Sequence, residues 1–146
     1  MTVEAALVPR LLLPLIAVAC YLFGALGLAF GTYRGDSHHG RGSRIAGAAI
    51  AAVGAVVHAL ALMEERRLDP QAALSPGDTA AIVGLLIAIT ALVMALKPRL
   101  RGMAALLLVI AAMLEGAFSE GARSFSMGRP GWELTFHIAM ATTAFA

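Results

Sequence analysis

The most constraining feature of this sequence is the spacing of its charged residues, which leaves long stretches of chain uncharged. Three runs carry no formal charge at all: 11–33, 45–63 and 79–96, with 23, 19 and 18 residues. A helix needs roughly 20 apolar residues to cross the hydrocarbon core of a bilayer. A fourth stretch, 102–119, qualifies with a single acid, Glu115, inside it. The four runs predict four transmembrane helices.

Composition narrows the class of protein further. The chain is 60% hydrophobic and 14% charged, whereas soluble domains have about 45–50% apolar and about 25% charged residues. The apolar runs do not alternate with polar residues, as the strands of a membrane barrel would, so helices are favoured. A net charge of +2 spread over few, scattered cations gives no indication of nucleic-acid binding. A single cysteine excludes a disulfide framework and a cysteine-based metal cage.

The predicted fold is an all-α polytopic transmembrane bundle, with four full spans and a truncated fifth helix. The spans are expected near 11–31, 45–63, 79–97 and 102–119, and the fifth helix from about 133 to the end. The last apolar run has only 13 residues, which is too short to span. We therefore expect residues 1–146 to be a single transmembrane domain that is the N-terminal part of a longer protein. The Gly-, Ser- and His-rich segment 31–44 is expected to be irregular.

Basic residues favour one orientation of the bundle. The loops after the first and third spans hold six of the eleven Lys and Arg residues, and three of these lie within 97–101. Because cytoplasmic loops are enriched in Lys and Arg, we expect these two loops in the cytoplasm and the N-terminus in the periplasm.

Three ionisable residues fall inside or at the ends of the predicted helices: His58, Glu115 and His137. They lie six residues before Glu64, five before Glu120 and four after Glu133, so helix geometry puts all three roughly 6–9 Å below the same membrane surface. Two histidines from separate helices can hold a haem group, and a carboxylate can orient an imidazole. In the alternative interpretation each histidine only forms a hydrogen bond with a neighbouring helix. No phosphate loop, nucleophile elbow, H-E-x-x-H or C-x-x-C-H motif occurs, so an enzyme is not expected.

Two short segments carry a resemblance to a known family. Residues 58–62 read His-Ala-Leu-Ala-Leu and are followed by Glu64, and His137-Ile138 precede Ala-Phe-Ala at 144–146. The two segments, in their order and their spacing, resemble the N-terminal half of the cytochrome c assembly protein family. The more similar branch of that family is its CcsA/HemX-like inner-membrane branch, and the resemblance covers nearly the whole chain.

The resemblance implies a bacterial inner-membrane protein of haem handling or cytochrome c biogenesis. It makes His58 and His137 candidate haem ligands, with Glu115 beside one of them. It also makes other cytochrome-assembly or haem-biosynthesis proteins candidate partners. The Trp-rich signature of the family's transporting members is absent, since Trp132 is the only tryptophan. A second hypothesis therefore stays open: a membrane scaffold or regulator, similar to HemX, that binds a partner protein and uses no cofactor.

Overall fold

Four long helices make up almost all of the described structure. A computed structural model describes residues 3–35, 37–68 and 76–118, and no strand occurs in these ranges. The elements are α1 (Val3–Tyr33), α2 (His38–Leu68), α3 (Pro76–Ala95) and α4 (Arg101–Phe118), with a 3₁₀ turn (Pro98–Leu100) before α4. Each helix is long and apolar enough to cross a membrane, so the prediction of an all-α fold with four helices able to span a membrane is confirmed for the described residues. The predicted fifth helix lies outside the described residues.

The connection between α1 and α2 is shorter than predicted. The expectation of an irregular segment over 31–44 is wrong for most of its length, because only 34–37 separates the two helices. Gly35 adopts a φ of 65°, the left-handed conformation that commonly ends a helix. The side chain of Ser37 then accepts a hydrogen bond from the backbone N–H of Gly40 at 3.1 Å, as the first residue of a capped helix does. Residues typical of loops therefore act here as a helix stop and a helix start.

The helices follow one another around the bundle in the order α2, α1, α4, α3. Helix α1 packs against α2 and α4, and α3 packs against α4 and α2. Helices α2 and α4 consequently occupy opposite corners and face each other across the centre. A side chain that joins α2 to α4 must pass through the middle of the molecule.

Glycines bring the backbones of α1 and α2 into direct contact. A methyl group added at Gly47 would lie 2.8 Å from the carbonyl oxygen of Gly24 and 2.8 Å from the amide nitrogen of Leu28. One added at Gly27 would lie 2.7 Å from the Cα of Gly47. The hydroxyl of Ser43 donates to the carbonyl oxygen of Gly27 at 3.0 Å. We call this contact the glycine seam; such approach through small residues is typical of helices that pack in lipid.

Small side chains fill the interior of the bundle, and large apolar side chains lie on its outer surface. The buried core is mostly alanine, joined by Tyr21, Leu28 and Leu108, while large apolar side chains such as Leu15 and Phe23 point outwards with 64% of their surface exposed. Lipid is as apolar as leucine, so helices in a membrane associate through close packing and hydrogen bonds rather than by hiding large side chains from water. The pattern fits a multi-pass membrane protein.

Two arginines complete the ends of α1 and α3. The guanidinium of Arg44 donates to the carbonyl oxygen of Gly31, in the last turn of α1, at 3.5 Å and to that of Gly35, just beyond the helix, at 3.0 Å. Nε of Arg101 donates to the carbonyl oxygen of Ala95, the last residue of α3, at 3.3 Å. The last carbonyls of a helix have no partner within it and carry the negative end of its dipole. Both arginines therefore stabilise the same end of the bundle, at which α1 and α3 finish.

Candidate functional site

Three polar side chains from three helices meet in the interior of the bundle. The hydroxyl of Tyr21 on α1 lies 3.1 Å from Nδ1 of His58 on α2. Nε2 of the same imidazole lies 2.7 Å from Oε2 of Glu115 on α4. Tyr21 and His58 are fully buried, and Glu115 has 3% of its surface exposed. We call these residues the Tyr–His–Glu cluster.

The cluster lies on the diagonal of the bundle. His58 and Glu115 belong to the helices at opposite corners, so their contact links α2 with α4, which otherwise pack little against each other. A separation of 2.7 Å is the length of a charge-assisted hydrogen bond. Within the described chain neither Nε2 nor Oε2 has another hydrogen-bond partner. Each atom thus depends on the other to offset its burial.

Small residues next to the cluster make room for its rings. Gly54 lies one turn before His58 on the same face of α2, and a methyl group there would approach Cδ1 of Tyr21 to 3.1 Å. Glycine at this position therefore allows the phenol ring to lie against α2. On α3, a methyl group at Gly84 would lie 3.6 Å from Cε1 of His58, an ordinary contact distance. All four helices thus surround the imidazole.

Glu115 lies at the centre of the bundle because it is on the buried face of α4. Leu108, Ala111 and Glu115 follow at helical spacing, and all three are buried. The carboxylate therefore belongs to the inward-facing stripe of this helix. The helix segments around it, 12–33, 45–63, 79–95 and 102–117, contain no Lys or Arg. The nearest group able to share its charge is the imidazole.

The structure describes two of the three site residues predicted from the sequence. His58 points into the bundle, and Glu115 is in direct contact with it. His137 lies outside the described residues, so its relation to the other two stays a prediction. Tyr21 is a member of the cluster that was not among the predicted site residues. The signal was available, because a tyrosine in the middle of an apolar run needs a hydrogen-bond partner when it is buried.

The geometry of His58 bears on haem binding. An imidazole coordinates iron through one ring nitrogen, while the other nitrogen contacts an orienting group. Here Tyr21 engages Nδ1 and Glu115 engages Nε2, so neither nitrogen is open to iron. His58 therefore does not fit as a haem ligand in this arrangement. The described residues also hold no group of three His, Cys, Asp or Glu side chains able to bind a metal ion.

Comparison with known proteins finds no relative for this chain: no family model, no curated protein and no solved structure matches it. The interpretation of the site therefore depends on its residues and their geometry.

Proposed function

We propose that this protein is a multi-pass protein of the bacterial inner membrane that acts as a scaffold or regulator and carries no haem on His58. The observation that supports a cofactor-free role is the closed Tyr–His–Glu cluster, in which both imidazole nitrogens have protein partners. The sequence resemblance supports a place in haem handling or cytochrome c biogenesis. In this role the bundle presents its surface to a partner protein, and the cluster joins α2 with α4 across the centre of the bundle.

Haem binding is the second candidate function. What favours it is the pairing of an imidazole with a buried carboxylate, the arrangement that usually supports a ligating histidine. Iron could bind His58 only after one of its two contacts had opened. The two functions therefore differ in whether the cluster stays closed.

Haem titration of the purified full chain in detergent distinguishes these functions. We expect the absorbance of added haem to be the same with the wild type and with His58→Ala, because His58 offers no free nitrogen. His39→Ala is the matched control, since His39 lies at the exposed start of the same helix. A stoichiometric absorbance band that His58→Ala abolishes and His39→Ala retains would overturn the cofactor-free proposal.

The orientation proposed is the one in which the connections 34–37 and 96–100 face the cytoplasm. Six basic residues support it: Arg34, Arg41, Arg44, Lys97, Arg99 and Arg101. Cysteines placed at Ser37 and Ser75 in a Cys20→Ala background should be labelled from opposite sides. Labelling of the cysteine at 37 from the periplasm would reverse the proposed orientation.

A further inference from the structure

We infer that the Tyr–His–Glu cluster is a proton-binding site, in which His58 and Glu115 hold one exchangeable proton between them at neutral pH. The ligand is a single proton delivered by a hydronium ion, whose O–H bond breaks to leave water; no electrons are transferred. Before it binds, the N–H of the imidazole lies at Nε2 and faces the carboxylate. After it binds, an N–H bond has formed at Nδ1, and one proton is held between Nε2 of His58 and Oε2 of Glu115. This inference goes beyond the scaffold role, because a site that gains or loses a proton can respond to its surroundings.

Charge balance is the first argument. With a neutral imidazole and an ionised carboxylate, the cluster would carry one uncompensated negative charge. A charge in the interior of a membrane bundle is costly unless it is paired. Because no Lys or Arg occurs in the surrounding segments, the imidazole is the available counter-charge. Adding one proton makes the cluster neutral, either as imidazolium with carboxylate or as imidazole with carboxylic acid.

Geometry is the second argument. The 2.7 Å separation of Nε2 and Oε2 suits a proton that belongs to either atom, since each is a partner for the other in both arrangements. Tyr21 can follow the change, because its hydroxyl donates to Nδ1 when that nitrogen has no proton and accepts when it has one. The cluster can therefore hold or release the proton with little movement of its heavy atoms.

The neighbouring helices supply few other titratable groups. On α1 the groups near the imidazole are Tyr21 and the adjacent Cys20. On α3 the position next to it is Gly84, and Asp78 lies six residues, about 9 Å of helix, away. On α4 the facing group is Glu115. Within the described helices, the imidazole of His58 therefore faces one carboxyl group, that of Glu115.

The release of the proton would have a structural consequence. It would leave a net negative charge where α2 and α4 meet, and it would weaken the ion pair between His58 and Glu115 that joins these helices. We therefore expect the protonated cluster to favour the closed bundle. The proton thus links the packing of the bundle to pH.

Vibrational and magnetic-resonance spectra of the wild-type protein in lipid bilayers test the inference at pH 7. Infrared absorption reports a protonated carboxyl group, and ¹⁵N resonances of labelled histidine report an imidazolium. We expect one of these two signals, equivalent to one proton per chain. Observation of an ionised Glu115 together with a neutral His58 at this pH would overturn the inference.

Variants assign each spectroscopic signal to a residue in two ways: by loss of the signal, or by elimination of the other residues of the same type. The carboxyl signal should disappear in Glu115→Gln and persist in Glu64→Gln, a matched change at an exposed glutamate. If Glu115→Gln does not fold, replacement of the five other glutamates with glutamine and of the three aspartates with asparagine assigns the signal by elimination. The imidazolium signal is assigned likewise, by replacing the three other histidines. A signal that is lost on these replacements would belong elsewhere and would count against the cluster.

Discussion

The glycine seam and the Tyr–His–Glu cluster hold different helices together by opposite means. At the seam, Gly24, Gly27 and Gly47 let two backbones touch, and an added methyl group would overlap backbone atoms. At the cluster, long polar side chains cross the space between helices and end on specific partners. The seam is sensitive to added atoms, and the cluster is sensitive to the removal of a partner.

The difference explains why only one of the two regions is a candidate functional site. Close packing of small residues stabilises a membrane bundle without placing any reactive group in it. Buried ionisable residues are costly in a membrane and commonly mark functional sites. The seam accounts for the association of α1 with α2, so the cluster is not needed to hold these two helices together. Its polar groups are instead positioned to join α2 with α4.

Substitution of Gly47 should have the largest effect of the changes that test the seam. Gly47→Ala places a methyl group against backbone atoms that cannot rotate away, and overpacking of this kind lowers the free energy of unfolding by about 1–3 kcal/mol. Reversible unfolding in mixed detergent micelles measures the loss.

Gly42→Ala is the matched control for that change. Gly42 also lies in α2, but a methyl group there meets nothing within 4 Å. Because alanine is the better helix former by about 1 kcal/mol, Gly42→Ala should leave stability unchanged or raise it. Equal stabilities for the two alanine variants would refute the described seam.

Loss of one hydroxyl from the cluster should have a smaller effect. Tyr21→Phe keeps the ring but removes the hydrogen-bond partner of Nδ1, which should lower the free energy of unfolding by about 1 kcal/mol. Tyr33→Phe, at a tyrosine that is 89% exposed, should change it by less than about 0.5 kcal/mol. Unfolding under the same conditions compares the two, and indistinguishable values would mean that the Tyr21 hydroxyl makes no stabilising contact.

The sequence predicted the helices better than it predicted their contacts. Charge spacing locates the spans because a bilayer excludes charges from its interior. The same argument placed His58 and Glu115 at similar depth, but depth leaves the rotation of each helix open. Which side chains meet depends on packing around the bundle, and the close approach at Gly54 that admits Tyr21 is a tertiary feature. The start of α2 was missed because Ser37 and Gly40 are typical of loops as well as of a capped helix.

A double-mutant cycle between His58 and Glu115 tests the central claim most directly. Each single leucine substitution leaves its former partner buried without a counterpart, a change that costs about 3–5 kcal/mol for buried ion pairs. The double variant removes both groups and should be more stable than either single one. We predict a coupling free energy of more than about 3 kcal/mol for the pair, and additivity within about 0.5 kcal/mol when His58→Leu is combined with Glu64→Leu. Additivity at His58 and Glu115 would contradict the claim that these residues join α2 and α4.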